Sequence, residues 1–293
     1  MDDLETRRQA DVLRGLLYLA CPHAPSDAVT STALAIARHA SGEEQPEQAL
    51  PVADALAPSG RASSLPQNLA RANLAAADLT HANLVRANLS AADLTAANLT
   101  AGRLVGADLT ATKLVRANLT NANLTGAILV DANLTDANLT DAELNRADLT
   151  RANLTRAYLT NANLDANLTG ANLTGVKLHS ARLTGAHLPD ANLTEADLTG
   201  AHLARANLVR ANFTHANLTG ARLASADLAD ANVVGADLAA TIGLRLCPGM
   251  LWNMDTHWPA QLGKQAVAMS DLVGDGIYRV RGTSAPDRTG ALV

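Results

Sequence analysis

Ala132-Asn133-Leu134-Thr135-Asp136 is followed at once by Ala137-Asn138-Leu139-Thr140-Asp141. The same unit extends in both directions. Leucine recurs every five residues from Leu69 to Leu164, the register slips by one residue at Asn163-Leu164-Asp165-Ala166-Asn167-Leu168, and period five resumes from Leu168 to Leu238. This makes thirty-five units, and thirty-three of their centres are Leu, with Phe213 and Val233 the exceptions. Ala stands two residues before the centre in thirty-one units; the residue just before it is Asn in eighteen and Asp in seven, and Thr follows it in eighteen. The unit is therefore Ala-(Asn/Asp)-Leu-Thr-X.

Period five excludes a helix, because at about 100° per residue it scatters the leucines around the cylinder. It also excludes a long strand, since an odd period sends successive leucines to opposite faces. What remains is a chain that turns a corner once per unit and keeps Ala and Leu, two residues apart, on the inward side. Such a core is narrow, and the composition agrees. The chain of 293 residues is 48% hydrophobic but only 2% aromatic, so Ala and Leu must supply nearly all the buried surface.

These units resemble the pentapeptide-repeat family, whose unit is Ala-(Asp/Asn)-Leu-X-X, over about residues 67 to 240. The resemblance implies an all-β solenoid: a right-handed quadrilateral β-helix of about nine coils, four units to a coil, with the central residue and the residue two before it pointing inward. At a strand spacing of about 4.8 Å the tower is roughly 42 Å tall. The missing residue near Asp165 predicts a tightened corner in an unbroken tower, because Ala166 and Leu168 still supply the inward pair.

Residues 20 apart, or 19 across the slip, then stack on one another. One face carries an Asn column from Asn133 to Asn232 beside a Thr column from Thr135 to Thr214, and such columns are expected to add hydrogen bonds along the axis. A flat Thr-rich face that binds an ordered lattice is the sharper alternative, weakened by Asp93 and Lys113 on that same face. Another column reads Arg182, His202 and Arg222, a candidate site for an anion or an acidic partner. Asp131, Asp136, Asp141, Glu143 and Asp148 form a second candidate surface, an acidic belt around the tower that meets only Arg146 within its own stretch.

The family resemblance also implies a partner class, since its best-known activity is binding of type II topoisomerases by a tower that resembles duplex DNA. Duplex DNA carries about one charge per 1.7 Å, or roughly 25 over 42 Å. Residues 66 to 240 hold fifteen acidic and thirteen basic side chains, a net of only −2. The centres here are Leu, whereas the topoisomerase-binding members commonly favour Phe. A DNA-mimicking modulator or protector of gyrase is therefore the second reading.

The flanks divide the chain into three parts: residues 1–65, 66–240 and 241–293. The first part reads as an N-terminal helical segment and linker, from the spacing of Leu13, Leu16, Leu17 and Ala20 and of Ala33, Ile36, Ala37 and Ala40. The third reads as a small C-terminal α/β cap. Trp252 and Trp258 act as a lid over the open end, and a Thr256-His257-Trp258-Pro259 segment is similar to the ends of many family members. Leu262, Ala266, Met269 and Val273 predict a helix, Gly274-Asp275-Gly276 a turn, Ile277 to Val280 a strand, and the residues from Gly282 a disordered tail. A homodimer through this cap is left open.

No phosphate-binding loop, dinucleotide fingerprint, nucleophile elbow or metal-spaced Cys/His set occurs. Cys21 and Cys247 are expected to be reduced thiols. No apolar run approaches the roughly 18 residues that cross a bilayer, and no basic leader region precedes one. The sequence thus predicts a cytoplasmic, non-enzymatic protein-protein interaction scaffold with no cofactor, no metal, no membrane contact and no direct nucleic-acid contact.

Overall fold

The computed structural model describes residues 68–282; the predicted N-terminal helices, the linker, Cys21 and the tail from residue 283 lie outside them. Within each unit the chain makes one short extended step and one turn. The residue before each centre forms a parallel bridge with its counterpart one coil on, as in Asn68↔Asn88, Asn73↔Asp93, Asp78↔Asn98 and Asn83↔Arg103. These four pairs begin the first, second, third and fourth sides of the tower. Across the slip the spacing becomes 19, as in Asp148↔Asn167 and Asn153↔Asn172, and all four columns continue.

The inward pair is dry. Every central residue from Leu74 to Leu238, Phe213 included, is at most 1% exposed. At the smaller inward position Gly102, Thr112 and Val176 replace Ala without opening the core. Buried Thr112 donates its hydroxyl to the Leu89 carbonyl at 2.9 Å. Burial of each Leu contributes about 1.5–3 kcal/mol of transfer free energy before ordering entropy.

Backbone bonds run along the axis in a fixed pattern. The N–H of Leu94 donates to Lys113 O at 2.7 Å, and the N–H of Asp93 donates to Ala72 O at 2.9 Å. A turn bond then closes each corner, as from the N–H of Ala97 to Leu94 O at 3.0 Å. The residue at the corner is left-handed throughout. Eight corners are glycine and twenty-six are not, and the non-glycine residues hold φ between 53° and 60°. A side chain in that region costs about 1–2 kcal/mol, so the corners persist only because the stacked coils over-determine them.

At the slip the left-handed residue is the one that is missing. Neither Asp165 nor Ala166 has a positive φ, and the Asp165 carbonyl accepts the N–H of Arg146 at 2.6 Å, the role a Thr carbonyl plays in other coils. The expected tightened corner is found, with Ala166 6% and Leu168 0% exposed.

The stack runs past residue 240. Ile242 bridges Arg222, Leu251 bridges Asn232 and His257 bridges Asp237. Met250-Leu251-Trp252 and Thr256-His257-Trp258 thus repeat the spacing of an ordinary unit with Trp at the centre. Thr256 is buried and donates to Val233 O at 2.9 Å, as Thr112 does to Leu89. Gly243 is required by close approach: a Cβ there would lie 2.8 Å from Ala224 Cα.

A small sheet grows from this last coil. Strand β1 (Leu251–Trp252) pairs antiparallel with β3 (Ile277–Val280), which pairs with β2 (Ser270–Gly274). Trp252 stacks on Tyr278 with centroids 4.6 Å apart and meets Trp258 edge-on at 5.8 Å. The predicted lid is therefore built from both Trp residues and Tyr278. The predicted helix is shorter than its apolar spacing implied: α1 spans only Gly263–Ala268, and Val273 lies in β2. No side chain caps its first turn, and the hairpin turn at Asp275-Gly276 draws Ser270–Gly274 into register with β3 instead.

Candidate functional site

The residue before each centre decides whether an outer face is finished or left open. Where it is Asn or Asp, its Oδ1 accepts the backbone N–H two residues on, except at Asn83 and Asn163 on the fourth side, and a following Thr in most units donates its hydroxyl to the same oxygen. On the second side Asn192 accepts the N–H of Thr194 at 3.1 Å and its hydroxyl at 2.6 Å. Asn212 Nδ2, one coil on, donates to Thr194 Oγ1 at 3.0 Å, and Asn192 Nδ2 donates to Thr174 Oγ1 at 3.0 Å. The expected axial ladder exists, but it runs from amide to hydroxyl to amide; the direct Asn212–Asn192 contact is longer, at 3.4 Å. Thr135, Thr174, Thr194 and Thr214 each donate and accept within the protein and Thr155 donates to Asn153, which removes the motive for lattice binding. Asp93 and Lys113, the exceptions on this side, pair at 3.6 Å.

Ion pairs frame the second side at both corners. Arg151 grips Asp131 through two bonds of 2.8 and 2.7 Å, Arg156 grips Asp136 at 2.7 and 2.8 Å, and Arg210 grips Asp190 at 2.6 Å. In each pair the Arg hydrogen bonds hold the carboxyl below its ordinary value. Counting charge within residues 131–148 missed these partners, because each lies 20 residues away on the next coil.

The acidic candidates do not converge. Asp131 and Asp136 sit at the two corners of the second side, Asp141 at the next corner, Glu143 on the fourth side and Asp148 on the first. Asp141 accepts from Asn161 at 3.2 Å, Glu143 from Asn145 at 2.9 Å, and Asp148 from Thr150 at 2.5 Å. They form the belt that the repeat arithmetic implied, with two of its five charges neutralised.

The basic candidates do converge. Arg182, His202 and Arg222 occupy successive rungs of the fourth side, and Ile242, 57% exposed, stands on the rung above them. None of the three makes an ion pair or side-chain hydrogen bond among the described residues. Each stands where an Asn can bond the N–H two residues on, as Asn123 does on this side at 3.0 Å, a bond worth about 0.5–1.5 kcal/mol. The corners beside the column are small on one edge, Ser180, Gly200 and Gly220, and on the other are Gly185 and Ser225 with the long Arg205 between them. The residues that follow the centres here are Thr184, Ala204 and Ala224.

Among the described residues no group of three or more His, Cys, Asp or Glu side chains could hold a metal ion, and no helix is long and apolar enough to cross a membrane. Cys247 is a free, half-buried thiol whose pKa burial raises.

Comparison with known proteins places the repeats. A family model described as pentapeptide repeats matches in several overlapping copies from residue 68 to residue 242. Among solved structures, HetL, a pentapeptide repeat protein involved in heterocyst differentiation regulation in the cyanobacterium Nostoc sp. strain PCC 7120, is 35% identical. That match covers 66% of this chain and 82% of HetL, with a TM-score of 0.32. A pentapeptide repeat protein of the Arabidopsis thaliana thylakoid lumen is 27% identical over 44% of this chain and 68% of its own, with a TM-score of 0.24. QnrB1, a plasmid-mediated fluoroquinolone resistance protein, is 19% identical over 54% of this chain and 84% of its own, with a TM-score of 0.27. The search of curated proteins found no match.

Proposed function

The chain belongs to the pentapeptide-repeat family, and from that premise we propose that it is a non-enzymatic scaffold whose fourth side is the binding surface for a protein partner. A right-handed β-helix is the fold that membership carries. Bridge columns that run from Asn68 to Asp227 and on to His257 support a count of about nine coils. One observation carries the functional reading: Arg182, His202 and Arg222 forgo the turn bond in three successive coils of one side and make no ion pair or side-chain hydrogen bond among the described residues. Solvated basic side chains that add nothing to the fold, aligned where the fold prefers Asn, are placed for something outside it.

The acidic belt is the lesser candidate. Arg151 and Arg156 neutralise Asp131 and Asp136, and Asp141, Glu143 and Asp148 face different directions. A DNA-like binder of a type II topoisomerase needs a continuous acidic face, so this reading ranks second. A gyrase supercoiling assay with and without a quinolone tests it, and inhibition or protection at micromolar protein would promote it. The scaffold is placed in the cytoplasm. Homodimerisation through the cap remains a subsidiary proposal, supported by Leu272 and Val273, which are 62% and 48% exposed on edge strand β2.

The test is a photo-crosslinking amino acid placed at Ala204 on the fourth side or at Thr155 on the second. In cells of the source organism, adducts at 204 that vanish in an Arg182→Asn/Arg222→Asn background, with none at 155, are the expected result. Equal labelling of both sides, or none at 204, overturns the assignment.

A further inference from the structure

The spacing of the basic column selects its ligand. Arg182, His202 and Arg222 stand on adjacent rungs of one parallel column, so they rise about 4.8 Å apart and span about 9.6 Å. An α-helix laid along the axis brings residues i, i+4 and i+7 to one face, and at 1.5 Å per residue these span about 10.5 Å. The mismatch of about 1 Å is within the reach of two flexible Arg side chains. An extended strand in the same place presents its same-side residues about 6.8 Å apart, or about 14 Å over two steps, and falls out of phase by the third rung. Successive phosphates of one duplex strand rise about 3.4 Å, out of phase in the opposite sense.

The surroundings extend the match. A helix is about 10–12 Å across with its side chains, and it needs a bed without tall edges. Ser180, Gly200 and Gly220 keep one edge of the column low, and the other carries Gly185 and Ser225 with Arg205 between them, whose flexible side chain has to lie back from a helix and adds a further cation beside it; Ala204 and Ala224 stand beside the basic residues. The fourth rung is apolar, because Ile242 bridges Arg222 and is 57% exposed. Below the column the same side changes character: Glu143 is bonded to Asn145 and Asn163.

Resting on the reading of the fourth side as the binding surface, we propose that its ligand is an α-helix of a partner protein. This helix lies parallel to the tower axis, with carboxylates at i, i+4 and i+7 against Arg182, His202 and Arg222 and an apolar residue at i+11 against Ile242.

Fluorescence anisotropy with the full chain tests this. The probe is a labelled, end-capped Ala/Gln peptide of 22 residues with Glu at i, i+4 and i+7 and Leu at i+11. One control peptide has the same composition with its Glu residues scattered around the helix; a second probe is an oligothymidylate. The row peptide is expected to bind at least tenfold more tightly than either. Arg182→Glu/Arg222→Glu should lose at least tenfold for it and gain at least tenfold for a matching Lys-row peptide, a gain that misfolding would not give. Ile242→Asn should weaken the Leu-bearing peptide severalfold and leave a Leu-to-Gln version unchanged. Equal binding of the scattered peptide, preference for the oligothymidylate, no binding of the row peptide, or no response to charge reversal overturns the helix assignment. If the 204 crosslink persists in any of those cases, the fourth side remains the binding surface and only the helix falls. If the crosslink is also absent, both fall.

Discussion

The second and fourth sides of the tower share one core and differ in how they finish their outer surface. On the second side most Asn amides and Thr hydroxyls are linked from coil to coil, as Asn192 to Thr174 and Asn212 to Thr194, and Asp–Arg pairs close both corners. On the fourth side the same backbone carries Arg182, His202 and Arg222, which have no such partner among the described residues. A repeat protein separates fold from function by position: the inward pair is common to all sides, and the residue before the centre is free to serve the tower or something else.

The largest effects should not distinguish the sides. Leu193→Ala beneath the second side and Leu203→Ala beneath the fourth each empty a fully buried site and should each cost about 2–5 kcal/mol in denaturant unfolding. A clear inequality would show that the two sides differ in their core and not only in their surface.

The next effect should separate them. Thr194→Val removes a hydroxyl that donates to Asn192 and accepts from Asn212, and should cost about 1–3 kcal/mol. Thr184→Val on the fourth side breaks no such link and should change the midpoint little. Arg182→Asn/His202→Asn/Arg222→Asn should then raise stability, by about 0.5–1.5 kcal/mol for each turn bond restored, while the crosslink at 204 is lost. A triple variant less stable than the parent would mean that the basic column already serves the fold.

The smallest effect is acidic. The carboxyls of Asp131, Asp136 and Asp190 are lowered from 3.8 by their Arg partners. Their contribution is therefore fully present above that value and is lost as pH falls through the lowered folded value. Asp136→Asn should lower the melting temperature slightly at pH 7 and not at all near pH 2. A difference that persists in strong acid would assign the effect to packing and not to charge.

Much of this was legible in the residues. The inward pair, the columns 20 apart, the slip and Phe213 in the core follow from period and composition, because a strict repeat makes each local choice also a global one. What escaped was what the repeat unit does not encode. The corner residue is Arg, Asp or Ala as readily as Gly, so nothing in residue type announced a left-handed φ. The partner of Asp131 is a full coil away. The lid that the sequence predicts at Trp252 and Trp258 closes the tower by filling the central position of two further units, disguised by a large ring where Leu is usual. Residues 270–273 read as helix in the sequence because alternation over so few residues is too short to outweigh a helical spacing that begins at Leu262.

The short coil at Asp165 bears on how such a gene can change. The residue dispensed with there is the one at the corner, and all four columns resume above it in phase. Loss of a single codon at a corner is thus absorbed where it occurs. The same loss between Ala and Leu would turn every later side chain of its coil inside out. Insertions and deletions should therefore survive in lineages at one position in five, and a family alignment with gaps at that interval would be the inherited trace of the corner's geometry.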